Sequence, residues 1–458
     1  MRTFVLRCLP ICLCVSALLA CKKGKPVAVD AGAPPGATSA PAAAPEATPA
    51  LAMPPGTNQP GPAYFAVKGT GVVMLDGGVF KTVQPIKYSV KRMVQGADGA
   101  LWLTAIDGTY RIVGSQSQEV NSDGDADGVA AVSAKEAWGV SFKGIHHYTG
   151  TSWTLEDKKV LGDVTLLEDV AVDGAGNVWV MSANALHERK AGTTAWVTTD
   201  VSKATGGKPY FEEFGRAPDG TLYAGFNGGL LVLRDGQWSK VSGNFGFSGA
   251  DHLDVSPTGV VAAVGGLDKL FVMPPGGALV QITPKSSGAN ASKWEEVAID
   301  GGGRIWLATD QGVVVLDGTG KLLTQWAPGT IEALRGEVTH VLVMGSGPAQ
   351  LPAAGAAATG TVTGKIIKAG SPVVGAEVQI CNSPSLVFSS TPCGDKPFKQ
   401  TVKTDAGGAF KVPDVPIGSY GFAIRPPGGK WLITLGSDCC TQMKKGQEYD
   451  VGTLKLDE

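Results

Sequence analysis

Charge is scarce in this chain. Only 17% of its 458 residues are Asp, Glu, Lys or Arg, and 39 basic against 41 acidic residues leave a net charge of −2. No basic field is present to hold a phosphate backbone, which excludes DNA and RNA as partners. After Ala20 no apolar run reaches the roughly 18–20 residues that a membrane helix needs. Histidine is limited to His146, His147, His187, His252 and His340, and no G-x-S-x-G, H-x-x-E or H-E-x-x-H motif occurs. Cysteine is missing between Cys21 and Cys381. Glycine, by contrast, numbers 64, roughly double its usual share of about 7%. With 29 prolines and recurrent Val, Thr and Trp, this composition predicts many short strands joined by turns, an all-β protein.

The N-terminus reads as an address. Two arginines precede an apolar stretch from Cys8 to Ala20, interrupted by Pro10 and too short to span a bilayer. It ends Leu18-Leu19-Ala20-Cys21, which resembles the bacterial lipoprotein signal, although Leu19 stands where a small residue is usual. The resemblance implies cleavage after residue 20 and lipidation of Cys21, so that the membrane is one partner. Two or more acyl chains hold a protein stably on a bilayer, each buried CH₂ contributing about 0.8 kcal/mol. Lys22, in place of the aspartate that retains such proteins at the inner membrane, implies the outer membrane. Residues 21–60 are rich in Ala, Pro, Gly and Thr, a composition that cannot bury enough apolar surface to offset its ordering entropy. They are expected to form a tether.

An internal period decides the architecture of residues 61–346. Asp98-Gly99-Ala100-Leu101-Trp102, Gly176-Asn177-Val178-Trp179, Asp219-Gly220-Thr221-Leu222-Tyr223 and Gly303-Arg304-Ile305-Trp306 are variants of one phrase, a turn followed by a strand opening on an aromatic. Weaker copies centre on Trp138 and Ala262, and a truncated one starts at Phe65. Their spacing is about 40 residues, the length of a four-stranded propeller blade. The first copy lacks a preceding strand, while the stretch from Glu337 to Met344 is a strand with no blade of its own. The expectation is a seven-bladed β-propeller in which that last strand completes blade one and leaves no open edge. The stretch resembles the propeller repeats of two-component-regulator sensor regions and, less closely, the streptogramin-lyase propellers. The lyases' Glu-x-His metal pair is absent here. The repeated aromatics are expected to pack between blades.

A second Ala/Gly/Pro stretch, 347–358, leads to 359–458. Thr404-Asp405-Ala406-Gly407-Gly408-Ala409-Phe410 and Pro416-Ile417-Gly418-Ser419-Tyr420 resemble the T-D-x-x-G-x-F and P-x-G-x-Y phrases of the carboxypeptidase regulatory-like, prealbumin-type β-sandwich. The resemblance implies a non-catalytic domain. Cys381, Cys393, Cys439 and Cys440 all lie in it, and in an exported chain they are expected to form two disulfides. Adjacent strand residues point to opposite faces. The expected pairing is therefore Cys439 and Cys440 with Cys381 and Cys393. Zinc is the alternative, without C-x₂₋₄-C spacing to support it.

Candidate sites are few. Asp123, Asp125 and Asp127, with Gly128 at the sixth place, form a string that resembles a Ca²⁺ loop, but Ala131 and Ala134 stand where further ligands belong. The alternative is a solvated acidic turn. Eleven residues before each phrase aromatic stand Lys91, Asp127, Glu168, Glu212, Asp251 and Glu295. Ring geometry is expected to gather the five carboxylates around one mouth of the central channel, where they would attract a metal ion, an amine or a basic segment. Separate turn-capping is the alternative. These features point to a non-catalytic envelope lipoprotein that binds a protein or small ligand. A channel-mouth lyase or hydrolase, favoured by a convergent His/acid cluster there, and a sensor component are the alternatives.

Overall fold

The computed structural model describes residues 56, 59–87, 89–121, 126–245, 249–266, 268–356, 358–381, 384, 391–394, 396, 398–418, 420–433, 439–440 and 443–456. Cys21 and all but three residues of the expected tether lie outside them, as do Asp123 and Asp125. Nine four-stranded sheets account for the described strands. No helix among the described residues is long and apolar enough to cross a membrane.

Seven of the sheets are the blades of a β-propeller, each built from successive antiparallel strands. Blade 7 is typical, with Trp294–Ile299 innermost, then Ile305–Thr309, Gly312–Leu316 and Leu322–Trp326. Blade 1 is the exception. Its inner strand, Val338–Val343, comes from the far end of the array and pairs with Ala63–Val67, setting Ala63 opposite Val343 and Ala66 opposite His340. The ring thus closes as the repeat spacing predicts, through hydrogen bonds between its two ends.

The core is distributed between blades. One cluster joins blades 2 and 3 around Trp102, a second joins blades 3 and 4 around Trp138, and a third joins blades 4 and 5 around Trp179. At the seam, Trp306 and Trp326 of blade 7 pack with Phe65 and Phe80 of blade 1. Trp102, Trp179 and Trp306 are at most 1% exposed, and each such ring contributes about 1.5–3 kcal/mol by burial. The turn before the aromatic fixes it: Asp173 Oδ2 accepts from Trp179 Nε1 at 3.0 Å and Asp300 Oδ2 from Trp306 Nε1 at 2.9 Å. The other oxygen of each aspartate accepts backbone N–H groups of the turn itself.

One copy is shifted from its expected register. Tyr64 pairs with Leu342 as Trp102 pairs with Val94, so Tyr64, and not Phe65, carries the aromatic position of blade 1. Phe65 faces blade 7 instead. Consecutive aromatics on opposite faces of a strand cannot be told apart from a truncated repeat.

The two remaining sheets form a sandwich. Thr359–Lys368 pairs antiparallel with Ala409–Pro416 and parallel with Glu448–Leu456, while Glu377–Cys381 lies between Lys399–Lys403 and Gly421–Arg425. Val362, Ile366, Val412, Val378, Phe422 and Ile424 from both sheets share one core. The cysteines pair otherwise than expected: Cys381 bonds Cys393, and Cys439 bonds its neighbour Cys440. The strand alternation behind the expectation does not apply, because residues 439–440 sit at an isolated bridge followed by a bend, with Cys440 at φ 88°.

Candidate ligand site in the propeller channel

The inner strands converge on an axial cavity of about 640 Å³ lined by all seven blades. Each begins at one mouth, and several begin with a charged doublet: Lys91-Arg92, Glu168-Asp169, Glu212-Glu213, Asp251-His252 and Glu295-Glu296. Neighbouring strand residues ordinarily point to opposite faces, but the pairing register slips at Lys91, Glu168, Glu212–Glu213 and Glu295. Such bulges re-aim side chains. The doublets therefore supply two stacked rings, one at the mouth and one inside.

Four of the five carboxylates expected at the mouth interact with one another, and Glu295 pairs with Lys293 instead. Asp127, Glu168, Glu212 and Asp251 form one electrostatic arc. Burial raises the Glu168 pKa, with Asp127 and Asp169 adding repulsion. Burial, then Asp251 and Glu168, pushes Glu212 up to about 7 against an opposing pull from His252. Burial likewise raises Asp251. Lysines flank the arc: Lys91 Nζ lies 2.6 Å from Asp127, and Lys293 Nζ lies 2.5 Å from Glu295. Asp127 is thereby placed in the mouth ring, at the end of the arc. On the same face Ile106, Phe142, Leu166 and Tyr210 are 51%, 57%, 43% and 46% exposed. Ile106 and Phe142 occupy turns between second and third strands, and Leu166 and Tyr210 immediately precede inner strands, all on the face where the inner strands start. Glu168, and after it burial and Glu212, raises the Tyr210 phenol.

The inner ring was not singled out from the sequence, although the charged doublets were its signal. It runs Arg92, Gly128, Asp169, Glu213, His252, Glu296, His340 around the channel, one residue from each blade. Arg92 donates to Phe214 O at 2.9 Å, reaches Asp169 Oδ2 at 3.1 Å and pairs with Glu213 Oε1. Asp169 and Glu213 also accept from backbone N–H groups of the next blade, Phe214 and Leu253, at 2.9 and 3.3 Å. One layer further in, Asp254 does the same for Ile299 at 2.8 Å. Carboxylates thus stitch inner strands that belong to different sheets. Burial raises Asp169 against the Arg92 charge and lifts Asp254 to about 6. A Cβ on Gly128 would meet Asp169 Oδ1 at 2.6 Å, so only glycine fits that place in the ring.

The histidines divide by location. His146 and His187 lie buried within blades 3 and 4, bonded to Ser141 and Ser182. His147 stacks on Trp138 at 3.9 Å. His340 instead lines the axial cavity, and His252 stands at the start of the blade 6 inner strand, at the same register as His340. His340 donates through Nε2 to Lys91 O at 3.1 Å and accepts at Nδ1 from Thr339 Oγ1. His252 Nδ1 lies 3.0 Å from Glu213 Oε2 and 3.5 Å from Glu296 Oε2.

No family model matches the chain, and no curated protein is significantly similar to it. Solved structures are similar in part. The extracellular domain of a protein described as a hybrid two-component system, BT4673 of B. thetaiotaomicron, is 17% identical with a TM-score of 0.43, over 55% of this chain and 35% of that one. This chain thus spans about a third of that protein's length. Virginiamycin B lyase of Staphylococcus aureus is 13% identical, with a TM-score of 0.40, over 56% of this chain and 94% of the lyase. PorZ of Porphyromonas gingivalis, a surface component of the type-IX secretion system, is 12% identical over 82% of this chain and 64% of its own, with a TM-score of 0.44.

Proposed function

We propose that the protein is a non-catalytic lipoprotein of the cell envelope, anchored through Cys21 in the outer membrane, whose propeller binds a basic segment of a partner protein at the acidic channel mouth. Residues 1–20 are its export signal, 21–60 its tether and 359–458 a carboxypeptidase regulatory-like domain offering a second contact surface. The observation that carries the reading is the arc of Asp127, Glu168, Glu212 and Asp251, with Tyr210 beside it and exposed Phe142 and Leu166 on the same face. Carboxylates crowded this closely repel one another until a cation arrives. Apolar and aromatic side chains around them suit a chain carrying Lys or Arg between apolar residues better than a bare ion or amine.

Fluorescence anisotropy with the full-length protein in detergent tests it. A labelled peptide alternating Lys and Phe is expected to bind in a salt-sensitive manner, and one alternating Glu and Phe is not. Combining Glu168→Gln, Glu212→Gln and Asp251→Asn removes three attractions of about 0.5–1 kcal/mol each, a tenfold or greater loss. Equal binding by wild type and triple variant would overturn the reading. Palmitate labelling that fails to mark the exported protein would overturn the anchor. A second reading, catalysis at the channel mouth, is favoured by the convergence of His252 with Glu213 and Glu296. Conversion of lactone, glycoside or peptide test substrates, lost on His252→Ala, would support it over the first.

A further inference from the structure

Beneath the mouth arc, three side chains from three consecutive blades bring one ligand atom each to a common point. One ligand atom from each of His252, Glu213 and Glu296 lies within 4.8 Å of the other two, and His252 Nδ1 itself is 3.0 Å from Glu213 Oε2 and 3.5 Å from Glu296 Oε2. Glu213 and Glu296 are each 5% exposed, so their oxygens are withdrawn from bulk water, while the His252 side chain is 44% accessible. The geometry points to a divalent transition-metal centre in the channel, with His252, Glu213 and Glu296 as its protein ligands and first-row ions such as Zn²⁺ or Co²⁺ as its occupants.

Three considerations carry this. The first is size. Bonds of 2.0–2.2 Å from a tetrahedral ion to nitrogen and oxygen set neighbouring ligand atoms about 3.4 Å apart. The observed separations from Nδ1, 3.0 and 3.5 Å, bracket that edge. The second is charge: two carboxylates neutralise a divalent ion, and the imidazole selects borderline metals over Ca²⁺ or Mg²⁺. The third is the surroundings. Arg92 engages Oε1 of Glu213 and the Leu253 N–H donates to Oε2 at 3.3 Å, so both hold the carboxylate in orientation while a second lone pair of Oε2 remains for the metal. Such a site keeps a coordination position open toward the cavity of about 640 Å³. On binding, the imidazole coordinates through Nδ1 as its Nε2–H tautomer. A doubly protonated ring would release its Nδ1 proton to water.

The site is distinct from the mouth arc, and calorimetry of the full-length protein with Zn²⁺, Co²⁺ and Ca²⁺ separates the two. Zn²⁺ is expected to bind at one equivalent, Co²⁺ to give a visible ligand-field band, and Ca²⁺ not to compete. His252→Ala is expected to abolish Zn²⁺ binding and Glu296→Gln to weaken it at least tenfold. The triple mouth variant should retain it, so the basic-peptide reading and this one fail independently. Absence of stoichiometric Zn²⁺ binding by wild type, or unchanged binding by His252→Ala, would overturn the proposal. Diethylpyrocarbonate labelling needs no variant: Zn²⁺ is expected to protect His252, and undiminished labelling at saturating Zn²⁺ would equally overturn it.

Discussion

His187 makes the stability of blade 4 dependent on pH in a way that can be worked out in advance. Its ring is 1% exposed and wedged between Ser182 Oγ at 3.1 Å and Thr198 Oγ1 at 3.0 Å. Burial pushes its pKa down from 6.5 to about 4. The folded ring thus resists a proton that the unfolded chain accepts at the ordinary value. Stability is full above pH 6.5 and is lost as pH falls toward 4. At 1.36 kcal/mol per unit the total loss is about 3–4 kcal/mol, of which about 2 kcal/mol is gone by pH 5. Urea unfolding followed by tryptophan fluorescence at pH 7.5, 6 and 5 reads this directly. His187→Gln cannot titrate there. It should start about 1–2 kcal/mol less stable at pH 7.5, through imperfect replacement of the two hydrogen bonds, yet lose about 2 kcal/mol less than wild type on going to pH 5. Parallel losses in the two proteins would refute the reasoning.

Two further outcomes are expected from the same unfolding assay. Arg92→Met leaves Asp169 and Glu213 buried without their counter-charge and should cost about 3–5 kcal/mol, whereas a loss under 1 kcal/mol would mean that the inner ring is solvated. Trp326→Ala opens the seam where Phe65, Phe80 and Trp306 meet a fully buried ring. It should cost about 3–5 kcal/mol, and a cost near zero would place closure of the ring in the backbone pairing alone.

What was legible in the sequence was whatever repeats. The turn-plus-aromatic phrase gave the blade count, and the orphan strand near residues 337–344 gave the closure, because both follow from a period and need no side-chain geometry. The arc of Asp127, Glu168, Glu212 and Asp251 was legible for the same reason, as one position recurring at the start of successive inner strands. The inner ring was not, because alternation assigns Asp169, Glu213 and Glu296 to the blade interior. Only the register slips beside them turn both members of each doublet toward the axis. The Cys439–Cys440 pairing escaped for a related reason: local backbone at a bend replaced the strand assumed there. His252 was visible as a residue but not as a ligand, since its partners come from two other blades.

Joining Val343 to Ala63 means that the first sheet of the ring stays incomplete until nearly the whole array has left the ribosome. Blades 2 to 7 draw their strands from contiguous sequence and have what they need as they emerge, whereas Ala63–Val67 must wait with one edge bare. Chains cut short anywhere before residue 338 would carry that exposed edge permanently. The last blade to be finished is the first to be synthesised, so the seam reports whether the repeat array arrived intact.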